Sequence, residues 1–122
     1  MAMEVKILKA YEVPSVQPLK PGCHERWLFD AKTPTENGAM VMAVFEPGKE
    51  SGLHQHGEEE FFFILRGRGK AQIAGRTYEL EPDVCIYVPA ETPHNFINTS
   101  NCESLTLLAF FSKNQFQTTQ LA

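Results

Sequence analysis

The sequence is poor in cysteine, modest in basic residues and without a long apolar run, and each shortage removes a class of protein. Its three cysteines, Cys23, Cys85 and Cys102, are odd in number, widely spaced and form no Cys-x-x-Cys pair, which argues against a disulfide scaffold. Cys85, inside the apolar run VCIYV, is expected to be a small buried residue, and Cys102, among TSNCES, to be exposed. Lysine and arginine number 11 against 15 acidic residues, for a formal charge of −4, and the basic residues are scattered. Such a chain offers no stripe of positive charge to a phosphate backbone, so nucleic acid is set aside as a partner. The N-terminal stretch MAMEVKILKAYEV mixes charges where a signal peptide needs a continuous apolar run. No segment approaches the roughly 20 apolar residues of a membrane span, and the expectation is a cytoplasmic protein without a membrane partner. There is also no internal repeat, heptad pattern or amphipathic helix.

What remains is a chain of 122 residues, 43% hydrophobic, long enough for one apolar core and read as a single domain over 1–122. Residues 4–30 form an irregular N-terminal segment expected to pack on the rest. VKIL is a candidate short strand, and Pro14, Pro18 and Pro21 prevent a helix through to Gly22. CHERWLFD, residues 23–30, reads as a strand with Trp27 and Phe29 on one face. Asn37-Gly38 signals a hairpin, followed by MVMAVFE with Met40, Met42 and Val44 on one side and Val41, Ala43 and Phe45 on the other. FFFILR, KAQIAG, RTYELEP, VCIYVP, HNFIN and SLTLLAFF follow as further strands, with glycines at 67, 69 and 75 marking hairpin turns. The tail SKNQFQTTQLA is polar and is expected to fray or lie loosely outside. FFFILR is apolar on both faces, so its outer face calls for a cover, either the N-terminal segment or a second subunit.

Between the second and third of these strands lies GKESGLHQHGEEEFFFILRG, residues 48–67. Side chains two apart on a strand share a face, so His54 and His56 can converge on one ion while Gln55 points away. Glu60 has the same parity and joins them if the chain keeps its register or bends, which costs least at Gly52 or Gly57. His94, just past a Pro-rich turn, is the candidate fourth ligand. Three imidazoles and one carboxylate suit a divalent transition metal such as Fe, Mn, Ni, Zn, Co or Cu, and leave coordination positions open for water or a small-molecule ligand.

These residues resemble the cupin superfamily, in particular its small single-domain, RmlC-like members. The family's first motif is matched without a gap by Gly48, His54, His56, Glu60 and Gly67. Its second motif is matched by Pro89, His94 and Asn98, while Asp83 and Glu91 stand at its two glycine positions. The likeness spans about residues 39–111 and implies an all-β fold, a single-domain antiparallel jelly-roll β-barrel with the metal near its mouth. It also implies a homodimer. The loop before His94 is expected to differ in shape from the family's, because a left-handed turn is costly for glutamate.

The function implied is that of a metal-dependent enzyme acting on a small organic acid or sugar-derived acid, of isomerase, lyase, decarboxylase or dioxygenase type. The alternative is a non-catalytic, metal-dependent small-molecule-binding protein. A general base is not evident. His24, Glu58, Tyr11 and Tyr87 are weak candidates, and Arg26 is a candidate partner for a substrate carboxylate or for a surface ion pair. Asn98 reads as a turn-fixing residue.

Overall fold

A computed structural model describes residues 3–121 and arranges ten strands in two antiparallel sheets. The strands are β1 (Cys23–Phe29), β2 (Ala39–Phe45), β3 (His54–His56), β4 (Glu60–Arg66), β5 (Gly69–Ile73), β6 (Arg76–Leu80), β7 (Cys85–Val88), β8 (His94–Asn98), β9 (Leu105–Phe111) and β10 (Thr118–Gln120). One sheet runs β1-β2-β9-β4-β7 and the other β10-β3-β8-β5-β6, so most connections cross from sheet to sheet. This is the antiparallel jelly roll that the family resemblance implied. No helix among the described residues is long and apolar enough to cross a membrane.

Alternation builds the core. Val41, Ala43 and Phe45 of β2 and Leu105, Leu107, Ala109 and Phe111 of β9 point inward and are buried, as are Phe62 and Ile64 of β4. Each large apolar side chain so buried stabilises the fold by about 1.5–3 kcal/mol. Two of the inward alanines, Ala43 and Ala109, face Leu107 and Val41 respectively across the β2/β9 ladder. Their small side chains leave free volume inside the barrel.

Turn chemistry sets the register at the barrel's ends. Ala74 (φ 50°) and Gly75 (φ 80°) form a two-residue turn in which both residues are left-handed, joining β5 to β6. Asp83 (φ 75°) and Glu91 (φ 57°) are also left-handed, so the loops keep a glycine-like backbone without glycine. The expected change of loop shape before His94 is therefore not what the backbone does at Glu91. Its N–H donates to the His56 carbonyl at 2.7 Å, which ties this loop to β3 and offsets the strain.

Several sequence expectations need correction. VKIL is not a strand: Val5 and Ile7 are exposed, and the described residues before β1 hold only a 3-10 turn at Ala10–Glu12, a single bridge from Val16 to Glu25 and a turn at Pro21 and Gly22. Trp27 and Phe29 do not share a face, because a bulge between them pairs Trp27 with inward Val41 but Phe29 with outward Met40. Gly67 and Gly69 do not make a hairpin. They carry the chain from β4 in one sheet to β5 in the other, at φ 92° for Gly67, where a Cβ would collide with the Ser104 carbonyl. Cys85 is exposed rather than buried, since it lies on the outer face of β7, while Cys23 is the fully buried cysteine. The tail does not lie loosely outside: β10 adds to the second sheet beside β3.

Candidate metal centre

The two facing sheets bring four side chains together. His54 and His94 are direct partners across the β3/β8 ladder, with ring centroids 4.3 Å apart. His56 follows on the same face of β3, and Glu60 enters from β4 in the opposite sheet after the chain bends through residues 57–59. Gly52, at φ 81°, starts that approach. Candidate ligand atoms of His54, His56 and His94 all lie within 4.8 Å of one another. Glu60 Oε1 is 3.4 Å from His56 Nε2 and 3.3 Å from His94 Nε2. All four side chains are buried, His94 most deeply.

The outer nitrogen of each ring is already engaged. His54 Nδ1 donates to the Gly52 carbonyl at 2.8 Å and His94 Nδ1 to the Thr92 carbonyl at 2.8 Å. A carbonyl can only accept, so both rings carry their proton on Nδ1 and turn an unprotonated Nε2 inward. His56 Nδ1 faces the Thr118 hydroxyl at 3.0 Å. Such outer contacts are what hold imidazoles in position for a metal. Inside, Glu60 Oε1 and His94 Nε2 are buried with no hydrogen-bond partner among the described residues. Leaving a buried polar atom unpaired costs about 1–3 kcal/mol, and a cation shared by these atoms would remove that cost. The three imidazole nitrogens could therefore hold a divalent metal ion, with Glu60 Oε1 close to two of them.

Burial also sets the charge state. It lowers His54 to about 4 and His56 to about 3, with repulsion from the neighbouring imidazoles adding to the shift, and it lowers His94 as well. The rings stay neutral at physiological pH, as ligands must. Burial pushes the Glu60 carboxyl well above the usual carboxylate range.

A cavity of about 150 Å³ adjoins the cluster, reached by His54, His56 and Glu60 and walled mainly by apolar side chains. Its one other titratable group among the described residues is Glu25 on β1. Glu25 Oε1 accepts from Trp27 Nε1 at 3.1 Å, and burial raises its carboxyl to about 7 despite that bond, with Glu60 adding to the rise. A carboxyl that titrates near neutrality inside a cavity is suited to carrying protons.

The weaker sequence candidates lie elsewhere. His24 bonds Glu46 at 2.6 Å on the surface, Glu58 pairs with Lys113 at 3.6 Å, Tyr87 donates to Glu59 at 3.0 Å, and Tyr11 is exposed. None of these four lines the cavity. Arg26 neither faces a ligand nor makes an ion pair; its guanidinium donates to the carbonyls of Tyr11 and Val13, clamping the N-terminal segment. Asn98 does fix a turn, donating to the Phe45 and Glu103 carbonyls and accepting from the Ser100 N–H. Sequence reasoning missed Glu25, Phe116 and Thr118. Glu25 was legible in principle, since Cys23 and Trp27 share its parity and both side chains turn inward.

The family model described as "Cupin domain" matches residues 41–111. An uncharacterized protein of Methanocaldococcus jannaschii is 33% identical over 64 residues, which is 52% of this chain and 51% of that protein. The polyketide synthase protein CurC of Streptomyces cyaneus is 30% identical over 69 residues, 56% of this chain and 45% of its own. The chain thus spans about half the length of these curated relatives. Among solved structures, the polyketide cyclase RemF of Streptomyces resistomycificus superposes with a TM-score of 0.79 at 20% identity, covering 98% of this chain and 88% of that one. At that identity the likeness is one of fold.

Proposed function

The chain belongs to the cupin family, and on that footing we propose that it is a metal-dependent enzyme acting on a small oxygen-bearing molecule inside the barrel. His54, His56, His94 and Glu60 are the residues that would hold a divalent transition metal. The observation that carries the reading is the convergence of the His54, His56 and His94 ring nitrogens within 4.8 Å of one another, with the partnerless Glu60 Oε1 beside His56 and His94. When bound, the ion supplies Lewis-acid polarisation of a ligand oxygen. Glu25 then receives or returns a proton at its carboxyl, and the apolar wall keeps bulk water from the ligand. This division of work suits isomerisation or elimination, in which a proton is moved next to a polarised oxygen.

A second reading, metal-dependent binding without turnover, draws on the sparseness of the wall, where Glu25 is the one titratable group outside the His and Glu60 set among the described residues. We also propose a homodimer, supported by the exposed apolar side chains Phe61, Leu65 and Tyr87 on the outer face of β4 and β7.

Elemental analysis of protein purified without added metal, together with His56→Ala, tests the main reading. About one transition-metal ion per chain is expected, with metal lost from a folded His56→Ala variant. Wild-type protein carrying no metal and acquiring none on incubation with Zn²⁺, Mn²⁺, Ni²⁺ or Fe²⁺ would refute it. Loss of turnover in the folded variant supports the enzyme, and loss of ligand affinity without any wild-type turnover supports the binding protein.

A further inference from the structure

The wall of the cavity specifies more than its volume. Trp27 stacks on Phe116 with ring centroids 5.1 Å apart and planes at 12°, and Phe116 stacks on Phe111 at 3.7 Å and 14°. Phe62 and Phe96, whose rings lie 4.6 Å apart, also line the space. Apolar cavities of roughly 150 Å³ accept one benzene-sized ring, and this one measures about 150 Å³. Its volume and aromatic wall suit a single ring.

Charge narrows the choice further. No lysine or arginine among the described residues lines the cavity. Carboxylate ligands are ordinarily met by a guanidinium or ammonium, yet the titratable side chains here apart from the neutral histidines are the carboxyls of Glu25 and Glu60. Arg26 sits on the adjacent outer position of β1 and spends its donors on backbone carbonyls. A sugar-derived acid would also need many polar partners, whereas the hydroxyl and amide side chains lining the cavity among the described residues are Ser51, which accepts from the Phe96 N–H at 3.0 Å, Thr118, which faces His56, and Gln120. Glu25, in contrast, has a free acceptor: Oε1 takes the Trp27 N–H, while Oε2 has no hydrogen bond to a described residue.

We propose that the cavity takes an uncharged, single-ring aromatic or enolic molecule, which turns an oxygen toward the His54, His56 and Glu60 end and donates a hydroxyl hydrogen bond to Glu25. The placement of that oxygen rests on the metal-centre reading above; the preference for an uncharged ring rests on the wall alone. It replaces the small organic acid or sugar-derived acid expected from the family resemblance with a neutral phenol-like ligand.

Trp27 is the sole tryptophan and lines the cavity, so its emission reports occupancy directly. Phenol and benzene are titrated into the full chain, both chelator-treated and Zn²⁺-loaded, and oxalate into the chelator-treated chain. Phenol is expected to change Trp27 emission saturably in both forms, with a Kd at least about tenfold below that of oxalate. Glu25→Ala removes phenol's advantage over benzene. Ala109→Leu fills the cavity and abolishes the response, and Ala43→Val serves if that variant does not fold. Oxalate binding as tightly as phenol, or a phenol response that survives cavity filling, would overturn the proposal. Phenol binding to a chain that takes up no zinc supports the ring site and removes the metal reading. One zinc per chain with phenol excluded overturns the ring site and leaves the metal reading standing.

Discussion

Glu60 Oε1 lies 3.3 Å from His94 Nε2, and both atoms are buried without a hydrogen-bond partner among the described residues. They come from opposite sheets, so the folding of the barrel itself forces the approach. Burial raises the Glu60 carboxyl well above its ordinary range, favouring the protonated form in the metal-free protein. A metal would have to displace that proton. Calorimetric titration with Zn²⁺ in buffers of different ionisation enthalpy is expected to show proton release from Glu60 that grows as the pH is lowered, and none from Glu60→Gln. Buffer-independent heats in the wild type would count against this account of Glu60.

Glu25 gives a pH dependence whose sign is fixed by its shift. Its carboxyl rises from the ordinary 4.5 to about 7 on folding, so the folded chain binds the proton more tightly than the unfolded one. The resulting stability is fully present below about pH 4.5 and is lost as pH climbs through 7. Chelator-treated wild type and Glu25→Gln, compared by urea denaturation, should match near pH 4.5. By pH 7.5 the variant is expected to be more stable by on the order of 1–2 kcal/mol, allowing for the partial exposure of Glu25. A gap that stays constant with pH would contradict the assignment of the buried proton to Glu25.

Thr118 acts on the site through His56. Its hydroxyl sits 3.0 Å from His56 Nδ1, on the strand that pairs directly with β3. Thr118→Val keeps the shape and removes that contact, and should weaken Zn²⁺ binding about tenfold while leaving the thermal midpoint of the metal-free protein nearly unchanged. Equal affinity in both proteins would show that the hydroxyl does not orient the ring.

Much of this was legible in the amino-acid order, and the rest failed for identifiable physical reasons. The strands of the core were legible as short apolar runs between turn residues, such as MVMAVF, and the His54/His56 pair by its two-residue spacing. Being apolar on both sides, that run did not tell that Val41, Ala43 and Phe45 face inward. The bulge after Trp27 was not legible, because one inserted residue flips parity without any local signature and so misplaced Phe29. Cys85 misled because apolar neighbours suggest burial, whereas β7 is an edge strand whose outer face is open. The tail misled because TTQ has no apolar alternation. Its docking is decided by Phe116 stacking on Phe111 and Trp27, contacts distant in sequence. Glu25 was overshadowed by the chemically more conspicuous His24 and Arg26, both of which turn out to serve the surface.

The outer face of β4 remains apolar at Phe61 and Leu65, with Tyr87 beside Phe61 at a ring separation of 5.2 Å. The proposed homodimer buries this patch. Phe61→Glu is expected to halve the mass measured by light scattering at micromolar concentration, with the barrel's circular dichroism retained. A wild-type protein that runs as a monomer there would remove the dimer.

The most direct measurement is equilibrium dialysis of Zn²⁺ against chelator-treated wild type and His94→Ala, with circular dichroism confirming that both are folded. His94 is the proposed ligand on β8, distant in sequence from the β3 pair, so it reports whether the imidazoles act on a common ion. One zinc per wild-type chain, and affinity at least about a hundredfold weaker in the variant, is the predicted result. Equal uptake by the two proteins would contradict the shared metal centre.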